Sequence, residues 1–307
     1  KINHEYPYIT HPCTGQLTKA ERHQFFRDLY SISVFKIGST FYNTLSNLII
    51  SIMIGTVAVG YYSNYFLITS QVTVIYILIM TAISAGVGNV MACEPKNRQI
   101  KIYNKLSLIT FLIYSLFTIC LFQLFNSFMN VWLGAMEHDY ILSQWVVLFI
   151  CLNFYIDTSC QLDNVFRNAG GYFKIGQYLQ VGGGLFNVVL AIPLCHFYGL
   201  AGIFAAQMFS KLLISYFPLI LKVQKTIFGF KQKMVMVIWV KRFLTFIGIG
   251  AIVWLLCLPI HETTLLNFLY EVVITLLVTI VLLCLVFHKD ENFIEERERV
   301  MKAVKLR

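Results

Sequence analysis

Long apolar runs, each broken by a short cluster of Gly, Pro, Asn or charge, dominate the chain. A helix crosses the hydrocarbon core of a bilayer in about 20 apolar residues. The runs predict eight such helices, at about 32–54, 61–86, 106–128, 141–166, 174–197, 200–222, 243–260 and 264–287. Strands of a membrane barrel would instead alternate with period two over roughly ten residues, and these runs do not. The expected fold class is therefore an all-α membrane protein: a six-helix bundle over 31–225, then an amphipathic segment and two additional helices over 226–288. A polar segment at 1–30, amphipathic over Glu21–Tyr30, precedes the first span, and a charged tail at 289–307 follows the last.

Polar residues inside the runs do not scatter. Lys36, Ser39, Asn43 and Asn47 recur at three- or four-residue steps, which puts them on one helix face. Asn64 and Gln71 share a face of the second span. Asn153, Asp157, Gln161 and Asn164 form the longest stripe, in the fourth. Gln177, Gln180 and Asn187 follow in the fifth, Gln207, Lys211 and Ser215 in the sixth, and Glu271, Thr275 and Thr279 in the eighth. Such stripes serve either as hydrogen-bonding glue between helices or as the lining of a shared aqueous cavity. Charge at membrane depth, at a cost of roughly 2.5–3.5 kcal/mol per Lys or Asp on insertion scales, favours the cavity. Lys211 and Asp157 lie near mid-span, as a pair with each other or with Asp157 titrating as a coupling carboxylate. Lys36 is near a span end, within reach of snorkelling. Asp163 and Arg167, at i and i+4, are expected to form an ordinary surface ion pair.

Charge orients the helices. Of 307 residues, 58% are hydrophobic and 13% charged, and the net charge is +9. Apart from Lys211, all the Lys and Arg residues fall in 1–36, 96–105, 167–174, 222–242 and 289–307. The intervening loops carry Glu137, Asp139 and Glu262 instead. Cytoplasmic loops collect Lys and Arg, so both termini are expected in the cytoplasm. The same pattern accounts for the basic balance without nucleic acid, for which no aromatic-basic module is present. None of the eight cysteines forms a C-x-x-C pair, and His4, His11, Cys13 and His23 match no zinc spacing. No cofactor, metal or enzyme is expected, since no G-x-S-x-G, H-E-x-x-H or Walker A sequence occurs.

Five stretches resemble the polysaccharide transporter family, the lipid-linked oligosaccharide or O-antigen-type flippases of the multidrug/oligosaccharidyl-lipid/polysaccharide superfamily. They are FKIGSTFYNTLSNLIIS (35–51), GTVAVGYYSNYFLI (55–68), WLG (132–134), FRNAGGYF (166–173) and HFYGLAGIFAAQMFSKLL (196–213). The resemblance covers roughly 1–225 and, more loosely, the last two helices. It implies the second of two pseudo-symmetric six-helix bundles plus an additional helix pair, with 1–30 as the linker between bundles. The first bundle would then be a partner absent from this sequence, which begins at Lys1. The implied activity is transfer of undecaprenyl-diphosphate-linked repeat units across the bacterial inner membrane by alternating access, in O-antigen- or capsule-type biosynthesis. Its partners would be the lipid-linked oligosaccharide and membrane lipids. On that reading Lys36 and Lys211 meet diphosphate or acidic sugars, Asn43, Asn153 and Gln207 bond sugar hydroxyls, and Asp157 couples ions. The competing expectations are a multidrug or organic-cation antiporter of the same superfamily, and a membrane enzyme or scaffold of surface-sugar assembly.

Overall fold

The structure is a computed structural model that describes residues 18–133, 141–258 and 264–295, apart from the side chains of Phe41 and Asn43. It is helical throughout, with no strand among the described residues. The helices are α1 (Lys19–Met53), α2 (Thr56–Cys93), α3 (Lys96–Leu133), α4 (Gln144–Ser159), α5 (Gln161–Ala169), α6 (Gln177–Ser210), α7 (Tyr216–Phe228), α8 (Gln232–Cys257) and α9 (Leu265–Phe287), with a π-turn, Lys211–Ser215, between α6 and α7.

Thr18 starts α1 with a capping box. The Thr18 N–H donates to Glu21 Oε2 at 2.8 Å, and the Glu21 N–H returns to Thr18 Oγ1 at 3.3 Å. The amphipathic stretch Glu21–Tyr30 and the first expected span are thus one helix. Its 35 residues make a rod roughly 50 Å long, well beyond one bilayer core. The fourth expected span bends at Cys160, between α4 and α5. The hydroxyls of Thr158 and Ser159 turn back onto the carbonyls of Phe154, Tyr155 and Ile156, and Tyr76 Oη donates to the Thr158 carbonyl at 3.1 Å. Competition of this kind for helix carbonyls bends helices.

The fifth and sixth expected spans share α6, which reverses at Gly199 (φ 56°, ψ −134°). That backbone geometry is open essentially only to glycine. The reversal lays the two arms side by side: Ser210 Oγ donates to the Gly183 carbonyl, and Ser215 Oγ to the Leu179 carbonyl at 3.0 Å. Gly202 packs so closely on the Leu194 carbonyl that a Cβ would collide with it.

Among the described residues, six helical stretches are long and apolar enough to cross a membrane: Thr56–Cys93, Lys96–Leu133, Gln144–Ala169, Gln177–Phe228, Gln232–Cys257 and Leu265–Phe287. The first expected span, carrying Lys36, Asn43 and Asn47, is not among them; α1 instead packs along α6. The chain reads as a multi-pass membrane protein, and its exterior agrees. Leu266, Phe197 and Ile52 are about three-quarters exposed. Helix α9 is inside-out by the standards of a water-soluble protein: it buries Glu271, Thr275, Thr279 and Leu283, one per turn, and exposes Leu269, Val273, Leu277 and Ile280. Where lipid is the solvent, polar groups turn inward. Gln123 Nε2 on α3 donates to Glu271 Oε1 at 2.7 Å, which gives that buried carboxyl a partner.

Candidate functional site

A cavity of about 300 Å3 lies between α2, α4 and the second arm of α6. Four of the six residues singled out from the sequence line it: Asn153, Asp157, Gln207 and Lys211. The spacing explains the convergence. Asn153 and Asp157 are one turn apart on α4, Gln207 and Lys211 one turn apart on the facing arm, and the reversal at Gly199 holds those two elements against each other.

Lys211 is the buried partner of the central pair. Its side chain is 3% exposed, and Nζ lies 2.8 Å from Asp157 Oδ2. The ammonium also stands 5.6 Å from the Tyr42 ring and 5.8 Å from the Tyr216 ring, a favourable cation–π setting. The Asp157 side chain is 38% exposed, while its Oδ1 is buried and has no hydrogen-bond partner among the described residues. Behind the lysine, Tyr42 Oη meets Ser210 Oγ at 3.2 Å and also Ser215 Oγ. Gly183 makes room for this cluster, since a Cβ there would collide with Ser215 Oγ and Tyr42 Oη.

The amides divide. Asn153 Nδ2 is committed to the Phe149 carbonyl at 2.8 Å and, across to α6, the Phe204 carbonyl at 2.9 Å, while Oδ1 lacks a partner. Asn153 is therefore a strut between α4 and α6, its Oδ1 buried. Gln207 lines the cavity with no side-chain bond to the protein among the described residues. Lys36 does not join the site: it is exposed on α1, outside the cavity. The Asn43 side chain lies outside the described residues.

The wall on α2 is formed by Tyr62, Phe66, Thr69, Ser70 and Thr73, not by Asn64 or Gln71. The hydroxyls of Thr69 and Thr73 bond the carbonyls of Tyr65 and Thr69 at 2.9 and 2.7 Å. Phe66 and Val74 at this wall are exposed, so the cavity opens along the outer face of α2.

Asp163 and Arg167 do not form the expected ion pair. Both are buried, at 3% and 4% exposure. Asp163 accepts from Tyr103 Oη at 3.0 Å, while Arg167 donates to the Ile175 carbonyl at 3.2 Å and stacks 3.9 Å from the Phe35 ring. Packing of α5 against its neighbours draws the two side chains to different partners. No protein-family model, curated protein or solved structure matches the chain. The cavity thus stands on its own chemistry: a buried ammonium, its paired carboxylate, and the amide side chains of Asn153 and Gln207.

Proposed function

We propose that the chain forms one half of a transporter that moves undecaprenyl-diphosphate-linked oligosaccharide repeat units across a bacterial inner membrane. In this reading the helices make eight crossings, the six apolar stretches supplying seven because the folded-back α6–α7 stretch counts twice, and the second half of α1 supplying the eighth, with both termini in the cytoplasm. The observation that carries the reading is Asp157: a carboxylate paired to Lys211 yet 38% exposed, at a cavity open along α2. A charge at this depth facing lipid would cost several kcal/mol. It is therefore read as facing water, in a vestibule closed on its far side by a second helical bundle. Lys211 meets the diphosphate or an acidic sugar, and Gln207, Asn153 and the α2 hydroxyls meet sugar hydroxyls. The lipid tail stays in the bilayer.

The partly exposed carboxylate of Asp157 favours one competitor, export of an organic cation. Deleting the intact gene in its host separates the two. Accumulation of lipid-linked repeat units with loss of surface polymer supports the flippase. Unchanged polymer with increased sensitivity to organic cations replaces it with the exporter.

A further inference from the structure

A second cavity lies elsewhere. It has a volume of about 470 Å3 and lies where α8 and the end of α9 meet α3, α5 and α7. Its polar residues sit at the basic end of each element: Asp163 beside the Arg167 segment, Gln224 between Lys222 and Lys225, Arg242 after Lys241, and Asp290 after Lys289. By the distribution of Lys and Arg this end is the cytoplasmic headgroup layer.

Arg242 is the built element. Its Nη1 donates to the Ser107 carbonyl at 3.2 Å and to Ser107 Oγ at 2.7 Å, and its guanidinium stands 5.4 Å from the Phe111 ring. Among the described residues, Nε and Nη2 find no acceptor, and no ion pair joins Arg242 to either carboxylate of the cavity. A guanidinium fixed through one nitrogen, with other N–H groups free, is a ready phosphate partner. Trp239, on the same wall, has a buried indole N–H without an acceptor. The carboxylates balance the cations Lys241 and Arg242. Asp163 Oδ1 accepts from Tyr103 Oη, and Asp290 Oδ1 accepts from the Asn292 backbone N–H and Nδ2 at 2.9 and 3.1 Å. A bare polyanion would meet two like charges here; a ligand carrying one charge of each sign would not. The rim supplies the rest: Met234, Ile238 and Val286 line the cavity and are 39–51% exposed, an apolar edge on which acyl chains can lie.

We infer that this cavity binds a phosphoethanolamine headgroup, phosphate on Arg242 and ammonium on Asp290 and Asp163, from a lipid of the leaflet on the basic side. The inference rests on the membrane reading and not on transport, and its test measures lipid binding alone. The full chain, purified in neutral detergent and stripped of lipid, is titrated with phosphatidylethanolamine, phosphatidylglycerol, phosphatidylcholine and soluble glycerophosphoethanolamine. Retained lipid is read by native mass spectrometry and the unfolding midpoint by scanning fluorimetry. Phosphatidylethanolamine should bind most tightly and raise the midpoint. R242Q should weaken it roughly tenfold or more, as expected for loss of a charge-assisted bond, and D290N should erase its advantage over phosphatidylglycerol. If R242Q does not fold, K241Q, at an exposed position, should weaken binding in the same direction. Equal binding of phosphatidylglycerol to the unaltered protein, or unchanged binding in a folded R242Q, overturns the inference. Glycerophosphoethanolamine binding as tightly as the lipid overturns the lipid as its source.

Discussion

The pair at the centre of the first cavity makes an asymmetric prediction. Lys211 is buried and Asp157 half-exposed, at 3% and 38%. Removing one partner of a fully buried pair costs about 3–5 kcal/mol, because an uncompensated charge remains. Asp157→Asn leaves the buried ammonium alone with two tyrosine rings, so its cost should lie in that range. Lys211→Met leaves a carboxylate already facing the cavity, and its cost should fall to about half, roughly 2 kcal/mol. The double variant removes both charges and should recover most of the loss, giving a coupling of about 2 kcal/mol or more where independent sites would add within about 0.5 kcal/mol. The assay is the unfolding midpoint of the purified protein in one detergent, all four variants scanned at one rate, because unfolding of such proteins is a kinetic measurement. Transport by the proposed two-bundle transporter is measured in parallel. If the two charges serve only the fold, the double variant restores transport with stability; in the proposed site it restores stability alone. Additive midpoint losses, or a Lys211→Met variant less stable than Asp157→Asn, would refute the placement of these charges.

Two smaller expectations accompany it. Gly183→Ala forces a methyl into the Tyr42–Ser215 cluster and should destabilise by about 1–3 kcal/mol, the usual range for overpacking; a midpoint equal to that of the parent would show that α1 and α6 are not packed this way. Glu295 lies 2.7 Å from Lys101 and 3.6 Å from Lys105, and its hydrogen bond to Lys101, then the charges of both lysines, hold its carboxyl below the ordinary range. A depressed carboxyl contributes its attachment above the ordinary carboxylate range and loses it as pH falls through the lowered value. A spin-label pair reporting on 101–295 should therefore separate in acid or in high salt and stay close at neutral pH and low salt; a distance unaffected by either would disprove the contact.

The sequence carried the expensive features of this molecule and missed the inexpensive ones. Lys211 and Asp157 are costly at membrane depth, so their presence is itself a signal, and the structure places them together with Asn153 and Gln207. The inward stripe Glu271, Thr275, Thr279 was legible for the same reason. The α2 wall was not. Threonines whose hydroxyls bond their own helix carbonyls, as Thr69 and Thr73 do, cross a bilayer at little cost, so spacing alone cannot distinguish them from lipid-facing residues. Asp163 and Arg167 misled in the opposite sense: an i, i+4 pair of opposite charges satisfies the helix rule, but the rule describes an exposed surface, and this surface is buried. The fold of α6 was legible from the apolar runs on either side of Gly199. The reach of α1 was not, because its polar first half and its more apolar second half differ in composition while sharing one backbone.

The charges also differ in how they are compensated, and that difference carries the functional weight. Glu271 settles on an amide, Asp163 on a phenol, Arg167 on a carbonyl and a ring, and Arg242 on a serine. Each is a single charge met mainly by neutral groups within the helix packing. Lys211 and Asp157 alone among these pair two full charges inside the span region. A buried ion pair is a poor stabiliser: replacing it by apolar residues of similar size is often neutral or favourable. Stability therefore gives no reason for this pair, and the hydroxyl cluster around it, built on Tyr42, Ser210 and Ser215, could close on apolar side chains at no loss. What the pair does provide is an ammonium whose charge is held by one carboxylate oxygen while the other, itself buried, has no hydrogen-bond partner among the described residues. A ligand bearing its own anionic group can take over the ammonium, releasing Asp157 to solvent or to a proton. Under the proposed function, exchange of partners at Lys211 is the simplest way for the bundle to register an occupied cavity.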